Sequence, residues 1–252
     1  YNPNDSFHEV DVWAAGAELS FTIGELNVMS ISDFRKSEML QRFTLNQTTN
    51  PILEPEIVAT EAEQFSQEIR LSSNESAAMQ WVAGAYYFRE EADSSIDILV
   101  GPYSATANPL GAFPITLPVN NGGTLKTTSD AVFGQIDYPL ADRLSGTIGL
   151  RYSRDEKGLL EFTNFSVPPS TATLPLPEKS ESWGEFSGRL ALQYDLNDDS
   201  LLYVSVTRGF KSGGFNLGAN QPTAYDPEIV LAYELGLKSQ FWNGRAQTNI
   251  ST

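Results

Sequence analysis

The chain has 252 residues, 32 acidic against 16 basic side chains, one histidine, no cysteine and a formal net charge of −16. That balance excludes a nucleic-acid partner, whose phosphates need clustered Lys and Arg, and the absence of cysteine excludes a disulfide framework and thiolate metal sites. No apolar run approaches the roughly 20 residues of a spanning helix, but a transmembrane β-barrel needs only about 9–11 alternating residues per strand and stays open.

Residues 1–16 are polar, are interrupted by Pro3 and carry Asp5, His8, Glu9 and Asp11. One histidine without a spaced second ligand is a weak metal signal, so a solvated loop is expected. Leu19, Phe21 and Ile23 then alternate up to Gly24-Glu25, and Leu26 and Val28 alternate away from it. A two-residue turn sets Ile23 opposite Leu26 on one face. Residues 40–61, with Pro51 and Pro55, read as a long loop. Phe65, Ile69 and Leu71 share a side, with Glu68 and Arg70 on the other; after a turn at Asn74 to Ala77 come Met79, Trp81, Ala83, Ala85 and Tyr87. Pairing Leu71 with Met79 keeps the apolar sets together. Residues 91–125, rich in Pro and Gly, are expected to be irregular.

The clearest period-two pattern runs from Asp130 to Lys157. Val132, Gly134, Ile136 and Tyr138 alternate with polar neighbours up to Pro139, and Leu144, Gly146, Ile148 and Leu150 do so after Arg143. Setting Tyr138 opposite Leu144 puts both apolar sets on one face and leaves Gln135, Asp137, Ser145, Thr147 and Arg151 on the other. A second loop, 158–180, precedes Phe186, Gly188, Leu190, Leu192 and Tyr194, which alternate with Glu185, Ser187, Arg189 and Gln193. Asp195, Asn197 and Asp199 superficially open a calcium loop, but Ser200 and Val206 stand where it needs Gly and Glu, so a tight turn is the better reading. Leu202, Val204 and Val206 lead to a third loop, 211–228; Leu231 to Phe241 is the last long strand before a turn at Asn243-Gly244.

Short and long connections alternate strictly, as in outer-membrane barrels with periplasmic turns on one rim and extracellular loops on the other. Tyr138, Tyr194, Phe241 and Trp242 fall near short turns, and Tyr87, Phe88 and Tyr152 near long ones, as two aromatic girdles would. The expected fold is all-β: an antiparallel transmembrane barrel wall of about ten strands. Both ends read as cut, which makes residues 1–252 part of a larger barrel domain.

SLLYVSVTRGFKSGGFN followed by YDPEIVLAYELGLKS resembles the barrel of TonB-dependent outer-membrane receptors. The motif residues are Arg208, Gly209, Phe210 and Lys211, then Pro227, Glu228, Tyr233, Glu234, Gly236 and Lys238; FSQEIRL, VAGAYYF and LRYSRDEK are similar to the same family. The resemblance implies a barrel of about 22 strands around an N-terminal plug, with the plug, the first strands and the last strands outside this sequence. It further implies energy-coupled import of a scarce ligand across the outer membrane of a Gram-negative bacterium, a ferric siderophore or other iron chelate being favoured. Its partners would be a TonB-type energy-coupling protein reached through the plug, outer-membrane lipid and lipopolysaccharide. No cofactor and no metal site are expected.

A passive porin and a soluble glycan-binding β-domain are the alternatives; no nucleophile elbow, zinc motif or phosphate loop supports an enzyme. For ligand contact the candidates are the loop residues Tyr103, Phe113, Lys211 and Phe215 and the inward residues Arg70, Arg151 and Arg189. Parity from Leu202 aims Arg208 at lipid, where it either meets lipopolysaccharide phosphates or is re-aimed by a bulge.

Overall fold

The computed structural model describes residues 6–43, 56–100, 117–167, 170–217 and 223–252. They form β1 (Phe7–Ile23), β2 (Leu26–Phe43), β3 (Glu56–Ser73), β4 (Gln80–Val100), β5 (Leu117–Ala141), β6 (Leu144–Val167), β7 (Ser170–Pro175), β8 (Lys179–Asn197), β9 (Ser200–Lys211), β10 (Glu228–Phe241) and β11 (Ala246–Ser251). All lie in one antiparallel sheet ordered as in the sequence, except that β7 leaves the path and pairs only with the outer end of β6.

The register carries one apolar face across the sheet. Val28 pairs with Leu71, Leu71 with Ala83, Ala83 with Gly134, Gly134 with Leu150 and Leu150 with Gly188. One step along, Ile148, Leu190, Val206 and Tyr233 continue it. These side chains stand open: Leu150 is 62% exposed, Phe186 63% and Tyr233 73%. On the opposite, polar face Ala62, Ala131, Thr147, Ala191 and Ser205 are buried despite their size. A sheet crowds its concave side, so the polar face is the inside of the curve and the apolar face its outer surface.

Three expectations about extent are corrected. The first strand begins at Phe7, so His8 points to the polar face while Glu9 and Asp11 point to the other. Within the described residues no group of three or more His, Asp or Glu is placed to hold a metal. The loops at 40–61, 91–125 and 158–180 are shorter than expected, because strands run on through them and an eleventh strand, β7, lies within the last. Asn120 to Gly123, within the stretch expected to be irregular, belongs to β5; Phe162 lies over Gly122 and Leu217 over Gly123, approaches that a side chain there would block.

Two registers are also corrected, each by an even number of residues, so the faces hold. Leu71 pairs with Ala83 rather than Met79. The turn is longer because Gln80 fills it: its Nε2 donates to the carbonyls of Ala77 at 2.7 Å and Asn74 at 3.2 Å, and Ser73 Oγ donates to its Oε1. Tyr138 pairs with Gly146, not Leu144, because the strands continue to Ala141 and a bulge between Pro139 and Ala141 absorbs the extra residue. Asp142-Arg143 is then the turn, with Arg143 at φ 61°. A left-handed conformation is unfavourable for Arg and tolerated by Asn. Arg143→Asn is expected to raise stability by a few tenths to about 1 kcal/mol, read as a shift in the urea midpoint at unchanged slope.

Tyr138, Tyr194, Phe241, Tyr87 and Tyr152 all lie on the apolar face, as girdle residues must. Phe88 does not: it pairs with Ser66 and Ser129 on the polar face.

Candidate functional site

On the polar face the ladders set Arg70, Gly84, Phe133, Arg151 and Ser187 in one cross-strand row. The next row outward holds Glu68, Tyr86, Ala131, Ser153 and Glu185. The Arg151 guanidinium lies 5.4 Å from the Tyr86 ring centroid and 5.7 Å from that of Phe133, distances at which a cation is attracted by the ring face. Its Nε donates to Ser153 Oγ at 2.9 Å. Arg70 is ion-paired with Glu68, two residues away on the same strand. Arg189 sits one row inward, opposite Gly149 and Thr207. All three arginines predicted to face inward therefore do so, in adjacent rows, and two of them flank an aromatic pair. Phe133 reaches over Gly84 because that residue has no side chain; a Cβ there would come within 2.5 Å of the Phe133 ring.

Farther out, the connection after β9 folds against this same face. The Lys157 Nζ donates to the Gly213 carbonyl at 2.8 Å and lies 6.0 Å from the Trp183 ring centroid. Gly213 is pressed on Trp183, Gly214 pairs with Tyr225 in an isolated bridge, and Leu217 reaches Gly123 on β5. Below it, Leu159 is 1% exposed, and Lys179 binds Glu161 at 2.8 Å with both side chains largely buried. Lys157 stands beyond the apolar band, which ends at Tyr152 on its strand. Burial lowers the pKa of its ammonium from the usual value, against the raising effect of Asp155 and Glu90. Lys211 is exposed and pairs with Glu228 at 3.3 Å, and Phe215 is half-buried within this connection. Tyr103 and Phe113 lie outside the described residues.

Arg208 pairs with Gly188 at the apolar-face parity expected for it, and no bulge re-aims it. The β8 and β9 ladder ends at Gly188 and Arg208, while β8 continues outward on β6 and β9 continues on β10. The Arg208 side chain turns into the resulting gap, donates to the Phe186 carbonyl and binds Glu185 Oε2 at 2.8 Å. Gly209, Phe210 and Lys211 complete β9, and Pro227 and Glu228 lead into β10, so these motif residues frame the inward-folded connection. Tyr233 is on the apolar face. Glu234, Gly236 and Lys238 surround one residue that the motif did not flag: Tyr203 of β9 lies over Gly236, its hydroxyl donates to Glu234, and Lys238 Nζ stands 5.3 Å from its ring centroid.

Tyr86, Phe133, Trp183 and Tyr203 escaped the sequence reading although a signal for them existed. Each is a large aromatic at polar parity, out of phase with the apolar residues of its own strand. Lys157 carried no such mark, since its contacts come from a connection more than 50 residues away.

The model of the TonB dependent receptor-like β-barrel matches residues 1–252. Among solved structures, the ferric yersiniabactin uptake receptor FyuA of Yersinia pestis is 17% identical with a TM-score of 0.75, over 95% of this chain and 35% of that one. The siderophore receptor PiuA of Acinetobacter baumannii is 14% identical with a TM-score of 0.71, over 98% and 40%. BauA, the ferric preacinetobactin receptor of the same species, is 19% identical with a TM-score of 0.59, over 98% and 38%. At such identities the likeness is one of fold, and the chain spans between a third and two-fifths of the length of these receptors. With the family model matched from end to end, the ladder order and the two-faced wall have one reading: the chain belongs to the TonB-dependent receptor-like β-barrel family.

Proposed function

We propose that this chain is barrel wall of an outer-membrane receptor that imports a ferric siderophore or other iron chelate by energy-coupled transport. The observation that carries the reading is the match to the receptor family over the whole chain, joined to a polar face that gathers Arg70, Arg151 and Arg189 with Tyr86 and Phe133. Aromatic faces and guanidinium groups suit an anionic, aromatic-rich chelate. In this reading Lys211 and Phe215 meet the ligand at the mouth, and a plug outside the described wall closes the lumen and connects to a TonB-type energy-coupling protein. The apolar face meets outer-membrane lipid, with lipopolysaccharide at the outer girdle. No covalent chemistry is required.

The test is cellular accumulation, by the protein in its natural full-length form, of labelled ferric siderophores, haem, cobalamin and oligosaccharides with the proton gradient intact and collapsed. Gradient-dependent uptake of one iron chelate supports the reading; gradient-independent leakage of many solutes would instead make the protein a porin. Arg151→Met is expected to raise the half-saturating chelate concentration about 5- to 30-fold, the equivalent of about 1–2 kcal/mol for a partly desolvated cation contact. An unchanged half-saturation with a lowered maximal rate would assign Arg151 to the plug and not to the ligand.

A further inference from the structure

We propose that the outer half of β8 is a docking edge for an extended, basic peptide segment of a partner protein. Between Lys179 and Ser187, β8 is paired with a neighbouring strand on one side only: its ladder to β6 runs from Tyr194 out to Lys179, whereas its ladder to β9 stops at Gly188. No backbone-to-backbone hydrogen bond among the described residues reaches the free side. Arg208 identifies which groups face it. Its guanidinium takes the Phe186 carbonyl, so by the period of two the N–H and C=O groups of Gly184, Ser182 and Ser180 point the same way.

The described residues of the connection after β9, 212–217 and 223–227, do not fill this side. They turn onto the polar face, where Gly213 meets the Trp183 side chain and Lys157 holds the Gly213 carbonyl. Ser180, Ser182 and Gly184 are exposed, so the edge lies open among the described residues, and their small outward side chains offer a second strand no obstruction. An unpaired edge of this kind is a template for strand addition.

The chemistry of the occupant follows from what flanks the edge. Glu181 and Glu185 alternate with Trp183 on the polar side of this segment, and Arg208, seated in the gap, is a cation held by Glu185 at 2.8 Å. A peptide with Lys or Arg at every second position would extend that pattern from Glu185 to Glu181 while its backbone bonds Ser180, Ser182 and Gly184. Its affinity would come from main-chain hydrogen bonds and its selectivity from the alternate charges.

The experiment is amide hydrogen exchange on the full-length protein in outer-membrane vesicles, with a blocked hexapeptide of alternating threonine and lysine and, separately, one of alternating threonine and glutamate. The lysine peptide is expected to slow exchange of the Ser182 and Gly184 amides at least tenfold and the glutamate peptide to leave them unchanged. Arg208→Ala, which vacates Phe186 and Glu185, is expected to tighten lysine-peptide binding at least threefold. Gly184→Pro, which removes an edge N–H at a place where sheets accept proline, is expected to abolish it; Ser182→Pro serves if that variant does not fold. Protection of these amides without peptide would overturn the proposal, by self-association if the protection depends on protein concentration and by a covered edge if it does not. Equal slowing by both peptides would overturn the basic chemistry assigned to the partner.

Discussion

Leu190→Arg is expected to destabilise the membrane-inserted protein by about 2–4 kcal/mol, the range for an arginine on the lipid face near the bilayer midplane. Leu190 lies midway along the apolar band of β8, between Phe186 and Tyr194, and pairs with Ile148 and Val206. It is 53% exposed and lines a groove of about 730 Å³ whose walls include Ile148, Leu192, Val204 and Leu235. That groove lies on the apolar face of the wall, the face that meets hydrocarbon in the proposed function. An arginine there must carry its charge into lipid or reach for an interface, whereas Gln193→Arg places the same charge on the polar face of the same strand. The control is expected within about 0.5 kcal/mol of the unsubstituted protein, as for ordinary solvated positions. Urea midpoints in lipid vesicles separate the two. Equal losses would mean that the two faces are not lipid and water, and would remove the basis for placing this wall in a membrane.

Gly236→Ala is the second large effect, with an expected loss of about 1–3 kcal/mol, the usual penalty of overpacking a fitted site. An added Cβ would stand within 2.5 Å of the Tyr203 hydroxyl oxygen and against its ring, so the phenol must leave its place over the strand. Leaving breaks its donation to Glu234 and its contact with Lys238 together. Because every close atom belongs to one movable side chain, the effect should be strongly coupled. Gly236→Ala in a Tyr203→Ala background is expected to cost little, and the cycle should return a coupling of at least about 1 kcal/mol. Additive losses would show that Gly236 serves its own backbone and not the ring. In this arrangement the Glu-Leu-Gly-Leu-Lys run, read from the sequence as a family mark, is a seat for an aromatic of the preceding strand.

The apolar band was legible because a sheet with one apolar face carries period two. Wherever one face must be apolar, as at Leu144 to Tyr152 or Phe186 to Tyr194, the faces were assigned correctly even where the register was displaced by two or four residues. An even displacement leaves the pattern unchanged, so alternation alone cannot detect it; only the bulge beside Leu140 and the Gln80-filled turn fix the number. Beyond the apolar band the signal weakens. In β3 and β4 the outward face above the band is charged, Glu61 bound by Lys36 and Glu91 by Lys126, and these strand ends, within 40–61 and 91–125, read as loops. The inward arginines were found by parity alone. Their aromatic companions were legible only as exceptions to the pattern, and the contacts of Lys157 and Arg208 depend on where β8 and β9 separate, which no local sequence feature announces.

β5, at 25 residues, has a further consequence. At about 3.3 Å per residue and a tilt near 40°, it climbs roughly 60 Å, more than twice the height of a membrane's apolar band of about 25 Å. The length beyond that band is regular strand, a stiff collar held by ladder hydrogen bonds and ion pairs and not a set of loops. Under the proposed function, a ligand arriving at the receptor would meet this rigid framework before it reached the level of the bilayer.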